Sequence, residues 1–99
     1  MTLVSFGFEK HPSGGNCPTH RVVATLEECI AASVVLRLLF KHGLFNLASK
    51  PAGCYWSGSG VYFNAVVDPS LTSPESFGDR GGVCVKGKFG IVIKQKIFK

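Results

Sequence analysis

The feature that most constrains this chain is its cysteine content. The sequence has 99 residues and four cysteines, at positions 17, 29, 54 and 84. A chain of this size buries too little surface for large stability, so small domains with an even number of cysteines often carry cross-links. We therefore predict two disulfides and an oxidising compartment, either an organelle lumen or the outside of the cell. The alternative is four reduced thiols in a cytosolic protein.

The strongest local signal is a helix in the first half of the chain. Thr25 is a good N-cap, Glu28 stands three positions later, and Gly43 is a natural C-terminal stop. These residues predict a helix over residues 26–42. Residues 30–40 are apolar on nearly all sides, whereas a surface helix keeps a polar face. They rise only about 16 Å, and crossing a bilayer needs about 20 residues, so this is not a membrane span.

An apolar helix of this kind is covered either by the rest of the domain or by a second protein. In the second case, the expected contact residues on the helix are Ile30, Val34, Leu38 and Phe40. The net charge is +5, and no acidic residue follows Asp79. A basic C-terminal segment is drawn to anionic surfaces, although lysines also keep an edge strand from pairing with other chains. The lysines expected to join the contact are Lys86, Lys88, Lys94 and Lys96.

Alternation of apolar and polar residues predicts strands at both ends of the chain. Residues 2–10 place Val4, Phe6 and Phe8 on one side, and residues 83–85 and 88–98 are also typical of strands. In the middle, residues 54–56 and 61–64 are β-prone runs separated by Ser-Gly-Ser-Gly, which predicts a hairpin with a four-residue connection. The predicted fold class is α+β, with one apolar helix packed on a small antiparallel sheet.

The motifs that usually carry chemistry are incomplete in this sequence. Phe63 stands where a third glycine would complete a dinucleotide-binding loop, and no Gly-Lys-Ser or Gly-Lys-Thr occurs. Cys17 and His20 have ligand-like spacing, but a zinc site would need further ligands from distant segments. The acidic residues suit helix caps and turns rather than paired acid–base chemistry. We therefore predict no catalytic residues, no metal site, no cofactor and no enzymatic activity of its own.

The hairpin carries four aromatic residues, Tyr55, Trp56, Tyr62 and Phe63. Cross-strand aromatic pairs stabilise hairpins, and depending on register the two tyrosines share one face while Trp56 and Phe63 share the other. The alternative function for this set is a stacking platform for a sugar ring, a pigment or a base. Nucleic acid is not favoured as a partner, because no RNA-recognition signature is present.

The segments GGNCP, TLEEC, KPAGCYW, GVYFN and VC occur in an order that resembles a small four-cysteine module of uncharacterised secreted or organellar proteins of algae and other protists. The match covers residues 14–84, and the GCYW and GVYFN strands are its specific part. The resemblance implies a helix packed on a small antiparallel sheet, with all four cysteines paired as cystines and no assigned activity. This chain differs in its more apolar helix and in a basic strand extension over residues 85–99, and both differences suit a fixed partner.

We treat residues 1–99 as a single small domain. The preferred disulfide pairing is Cys29 with Cys54 and Cys17 with Cys84, and swapped pairings stay open. The predicted function is a non-enzymatic protein-interaction module, an accessory subunit that docks on a larger assembly. The periphery of a membrane-embedded algal photosystem in the chloroplast is one such assembly. The alternative is a secreted ligand- or carbohydrate-binding module that uses the aromatic hairpin.

Overall fold

The computed structural model describes residues 7–41 and 46–86. Within these ranges the chain forms one α-helix and five β-strands, joined by loops that contain short 3-10 turns. This confirms the predicted α+β fold class. The elements in chain order are β1 (Phe8–Lys10), α1 (Leu26–Leu36), β2 (Leu39–Phe40), β3 (Gly53–Ser57), β4 (Gly60–Asn64) and β5 (Arg80–Val85).

The five strands form one sheet in the order β1-β5-β3-β4-β2. Three of the pairings, β1–β5, β5–β3 and β3–β4, are antiparallel, as predicted. The two-residue strand β2 departs from this pattern, because it adds to the edge of β4 in parallel. Several predicted features lie outside the described residues. These are Val4 and Phe6 of the first strand, the strand over residues 88–98, and the lysines Lys88, Lys94 and Lys96.

The glycine-rich segment between β3 and β4 is a hairpin turn, as predicted, but it is shorter than expected. Ser57 and Gly60 remain paired as strand residues, so the connection is only Gly58 and Ser59. Gly58 has a φ of 61°, and two-residue hairpin loops favour a glycine with positive φ because it matches the twist of the strands.

Helix α1 begins where the sequence predicts. The Thr25 hydroxyl accepts a hydrogen bond from the Glu28 backbone N–H at 3.2 Å, and it donates to the Glu28 carboxylate at 3.2 Å. The first turn closes with the Cys29 N–H donating to the Thr25 carbonyl at 3.0 Å. The cap therefore satisfies a backbone group that the first turn of a helix leaves without a partner.

The predicted end of the helix at residue 42 is wrong, because α1 ends at Leu36. Arg37 adopts the left-handed conformation, with φ 59° and ψ 41°. The Leu38 N–H donates to the Ser33 carbonyl at 2.9 Å and the Arg37 N–H to the Val34 carbonyl at 3.1 Å. These two bonds form a Schellman motif, which reverses the chain and turns Leu38 back toward the core.

The core lies between α1 and one face of the sheet, and its buried members are Val23, Cys29, Ala32, Cys54, Val61, Phe63 and Val83. The disulfide Cys29–Cys54 crosses this layer and joins the helix to β3, with a sequence separation of 25. Both of its cysteines are fully buried. In the chain-entropy description such a bridge stabilises the fold by roughly 3–4 kcal/mol.

The second disulfide, Cys17–Cys84, lies on the other face of the sheet and has a sequence separation of 67. Its position follows from alternation along β5, since Val83 belongs to the core next to the helix and Cys84 points the opposite way. Gly82 allows the close approach, because a Cβ there would lie 2.8 Å from the Cys17 Sγ. The two pairs are those preferred from the sequence, and each fixes a different layer to the sheet.

Candidate functional site

Four apolar side chains are exposed on α1 and directly after it. The exposed fractions are 40 % for Ile30, 72 % for Val34, 50 % for Val35 and 64 % for Leu39. We call the three of these residues on the helix, Ile30, Val34 and Val35, the outer patch. Leu39 is a separate exposed side chain, because it alternates with Leu38 and Phe40, which pack against the core. The outer patch is exposed because α1 has only one side against the sheet, where Cys29, Ala32 and Ser33 are buried. The sides of the helix that do not contact the sheet also carry apolar residues, so apolar side chains face away from the core.

The structure brings together only part of the predicted contact set. Ile30 and Val34 are exposed in the outer patch, but Leu38 and Phe40 are half-buried and pack against the core. The sequence analysis missed Val35 and Leu39. It continued the helix past residue 37, which put Leu38 in line with Ile30 and Val34, whereas the turn at Arg37 exposes Leu39 instead.

Charged residues stand at both ends of the outer patch. Glu27 and Glu28 are exposed in the first turn of α1, where the helix dipole favours acids. Arg37 and Lys41 are exposed beyond its last turn. Only Arg37 adjoins the outer patch, because the stem of Lys41 lies over Gly60 on the Tyr62 face of the sheet, where a Cβ at Gly60 would be 3.0 Å from the Lys41 Cγ and 3.4 Å from the Tyr62 Cε1. The outer patch therefore has an acidic end and a basic end.

Lys86 is the part of the predicted lysine strand that the structure describes. It is exposed, and its backbone N–H donates to the Gly7 carbonyl at 3.0 Å. It thus follows β5 at the β1 side of the sheet, and its side chain points away from α1, because the preceding Val85 packs against the core. Lys86 and the outer patch are consequently separate surfaces.

The four hairpin aromatics do not form a single platform. Tyr55 is paired with Tyr62 across the strands, and their rings stack with centroids 5.2 Å apart and planes 14° apart. Trp56 and Phe63 alternate onto the other face, toward the core. Tyr55 is only 2 % exposed and Phe63 8 %, so neither ring offers a free face.

Tyr55 and Trp56 both contribute to the packing of the domain itself. Burial raises the pKa of Tyr55 to about 12, with nearby Arg80 acting in the opposite direction. The Trp56 indole N–H donates to the His11 carbonyl at 2.8 Å. The Lys10 ammonium lies 4.4 Å from the centre of the indole ring, within the range of a cation–π contact. Trp56 therefore holds the N-terminal loop against the sheet.

The side-chain amide of Asn64, which the sequence analysis did not single out, fixes the loop before β3 and the residues directly after β4. Asn64 is fully buried at the end of that strand. Its side chain makes five hydrogen bonds with backbone groups of Leu47, Lys50, Pro51 and Val66, at 2.8–3.3 Å. Asn16 likewise links two segments of the chain. Its side chain accepts a hydrogen bond from the Ala52 N–H at 2.9 Å and donates one to the Thr72 hydroxyl at 2.8 Å. The only sequence signal was an asparagine at the end of a predicted strand.

The possible zinc ligand Cys17 is bonded to Cys84, so its sulfur is not available as a thiolate. In residues 7–41 and 46–86, no three His, Cys, Asp or Glu side chains come together in a group that could hold a metal ion. Within the same ranges, no helix is both long enough and apolar enough to cross a bilayer.

The chain matches no protein-family model, no curated protein and no solved structure. Its class is therefore defined by its own features, as a small α+β domain with two disulfides and an exposed apolar helix face. Two disulfides are consistent with an oxidising compartment.

Proposed function

We propose that this protein is a non-enzymatic interaction module, an accessory subunit that docks on a larger protein assembly through the outer patch. The observation that carries the proposal is the exposure of Val34, at 72 %, together with the exposed Ile30 and Val35 on the same helix. Contiguous exposed apolar side chains on a soluble domain commonly mark a contact surface.

The energetics of the outer patch favour docking. Burying a Val, Leu or Ile side chain completely is worth about 1.5–3 kcal/mol. Within the domain, the inward residues of α1 already fill the space over the sheet, since Cys29 and Ala32 are fully buried. Among residues 7–41 and 46–86, the core therefore does not cover Val34, which is left for another surface to cover.

The cysteines bear on one kind of catalysis, which is nucleophilic attack by a thiolate. All four are in disulfides, so none is free to act as a thiolate nucleophile.

The location of the partner is part of the proposal as well. The proposed location is an organelle lumen, where a basic accessory subunit with two internal disulfides would dock on a membrane-embedded assembly such as an algal photosystem in the chloroplast.

The alternative, a secreted carbohydrate-binding module, has less support. A stacking platform needs accessible aromatic faces on one side of the hairpin. The register places Tyr55 and Tyr62 on one face and Trp56 and Phe63 on the other, and Tyr55 is buried. The stack of Tyr55 on Tyr62 also occupies one face of each ring.

The test is site-specific photo-cross-linking in native extract. A photoreactive phenylalanine derivative at position 34 is expected to cross-link one discrete protein partner, whereas the same residue at position 71 is expected to give none. Leu71 is a suitable control because it is 64 % exposed but lies in a 3-10 turn outside the outer patch. Equal cross-linking from both positions, or none from position 34, would contradict the proposal. A change in tryptophan fluorescence on adding glycans would favour the alternative.

A further inference from the structure

The outer patch carries charges of opposite sign at its two ends. Glu27 is exposed in the first turn of α1, and Arg37 is exposed directly after its last turn. A surface that runs from acid through apolar residues to base is complementary to a copy of itself turned end to end, because each end then meets the opposite charge.

The spacing of these residues suits an antiparallel helix pair. Glu27 and Arg37 are equally far in sequence from Ala32, roughly 7.5 Å along the axis on either side at 1.5 Å per residue. A two-fold axis level with Ala32 therefore sets Glu27 opposite Arg37 of a second copy. Ala31 is exposed near this level, and its small side chain lets two helices approach closely.

We propose that, in the free protein, a second copy of the chain covers the outer patch in a two-fold symmetric dimer with antiparallel α1 helices. This inference rests on the proposed function, since it names a partner that occupies the same surface until the larger assembly displaces it. Ile30 then faces Val34 of the second copy, and the side chain that is 72 % exposed leaves water. A single helix pair buries less than the roughly 800 Å² per partner of stable complexes, so the dimer is weak and displaceable.

The first test is sedimentation equilibrium of the oxidised protein from about 1 μM to about 1 mM, a range that covers weak association. We expect the average mass to rise toward that of a dimer in the upper part of the range. Val34→Asp should keep the protein monomeric throughout. Val67→Asp is the matched control, because Val67 is an exposed valine outside the outer patch, and it should leave the association unchanged.

The second test exchanges the charges. Glu27→Lys places two cations opposite each other in the dimer, and Arg37→Glu places two acids together, so each variant should dimerise about tenfold more weakly. An equal mixture of the two variants restores both opposite-charge pairs and should associate as tightly as the wild type. Circular dichroism and thermal unfolding of each variant check that the fold is retained.

Three outcomes of the two tests above would overturn the inference, and a separate vesicle experiment gives a fourth. The wild type stays monomeric up to about 1 mM, or Val34→Asp still dimerises, or the charge-exchange mixture associates no better than its components. Monomeric protein that sediments with vesicles of equal parts phosphatidylcholine and phosphatidylserine, and loses this through Val34→Asp, would assign the outer patch to a membrane and also overturn it.

The two proposals fail separately. A monomeric protein that still cross-links a discrete partner from position 34 removes the dimer and leaves the docking function. A charge-dependent dimer that cross-links only to itself in native extract retains the dimer and removes the larger assembly.

Discussion

Val34 and Leu71 are both largely exposed, at 72 % and 64 %, but they lie in different surroundings. Val34 belongs to the outer patch, and Ile30 and Val35 are exposed on the same helix. Leu71 ends a 3-10 turn that Asp68 caps, with the Ser70 N–H and hydroxyl both donating to its carboxylate, at 3.0 and 2.8 Å. Exposure of one leucine is ordinary in soluble proteins. It indicates a docking surface only where its neighbours are apolar and exposed as well.

The same contrast holds for the two layers on either side of the sheet. The helix side is held by apolar packing and by the Cys29–Cys54 bridge. The loop side is held by the amides of Asn16 and Asn64 and by the second disulfide. Apolar packing leaves the outward side of a helix free for other contacts, whereas hydrogen-bonded loops use their polar groups internally. The predictions below test this division, from the largest expected effect to the smallest.

Removing the helix-side disulfide should have the largest effect. Cys29→Ala combined with Cys54→Ala should lower the free energy of unfolding by about 3–4 kcal/mol, because the unfolded chain gains freedom. Denaturant unfolding measures this change. Amide hydrogen exchange should show lost protection in α1 before the loops around Asn64. Uniform loss across the whole domain would argue against two separately held layers.

Asn64→Ala should lower the free energy of unfolding by about 3 kcal/mol, since it leaves several buried backbone groups without partners. The matched control is Asn46→Ala, which makes the same change at an exposed position and should have almost no effect. Denaturant unfolding again gives the values. Similar losses for both variants would show that the loop side does not depend on the buried amide.

Burial of Tyr55 makes stability depend on alkaline pH. The pKa is raised from 10.0 to about 12, so the folded state keeps the phenol protonated where the unfolded state ionises. The contribution is complete below pH 10 and is lost as the pH rises toward 12, by about 1 kcal/mol between pH 10 and 11. Tyr55→Phe should remove this fall, whereas Tyr62→Phe should keep most of it, because burial is the largest cause of the raised pKa and the charge of Tyr62 is a smaller one. Phenolate absorbance titration measures the pKa directly, and an ordinary value would contradict the prediction.

The left-handed conformation of Arg37 predicts a gain in stability on substitution. Arg37→Gly should raise the free energy of unfolding by about 1 kcal/mol, because glycine adopts positive φ without strain. Arg37→Ala removes the charge but keeps the strain, and it should give no such gain. Thermal unfolding of the two variants separates the backbone contribution from that of the side chain. If both variants gained equally, the side chain rather than the backbone would be responsible.

The smallest effect on stability is expected at two exposed apolar side chains. Val34→Asp and Leu71→Asp should each change the free energy of unfolding by less than about 0.5 kcal/mol. Only Val34→Asp should weaken capture of the partner that cross-links from position 34. A quantitative pull-down with the two variants side by side measures the difference, and equal loss of capture would remove the distinction between the two surfaces.

Much of the fold could be predicted from local sequence patterns. The α+β class, the helix start at Thr25 and the β3–β4 hairpin all depend on contacts between residues close in sequence. The end of α1 could not be predicted in this way. Arginine is uncommon in the left-handed conformation, so Arg37 gives no stop signal, whereas Gly43 does. The edge strand β2 was missed for the same reason, since it exists only because the chain turns at Arg37.

The candidate site was predicted in part. The apolar character of α1 was clear from the sequence, but which side chains are exposed depends on where the helix ends. That choice moved Leu38 into the half-buried layer and left Leu39 exposed. The role of Asn64 depends on tertiary contacts with residues up to 17 positions earlier in the sequence, and local patterns do not reveal such contacts.

The pairing of β1 with β5 has a practical consequence. The Lys86 N–H donates to the Gly7 carbonyl at 3.0 Å, so the two limits of the described chain are hydrogen-bonded neighbours. Leu39 lies at the far edge of the sheet. A fluorescent label attached at Lys86 would therefore report on the β1 edge of the sheet and not on the edge that Leu39 occupies. The same proximity would let a short linker join the two limits, with new ends opened at the exposed Gly58–Ser59 turn, to give a circularly permuted domain.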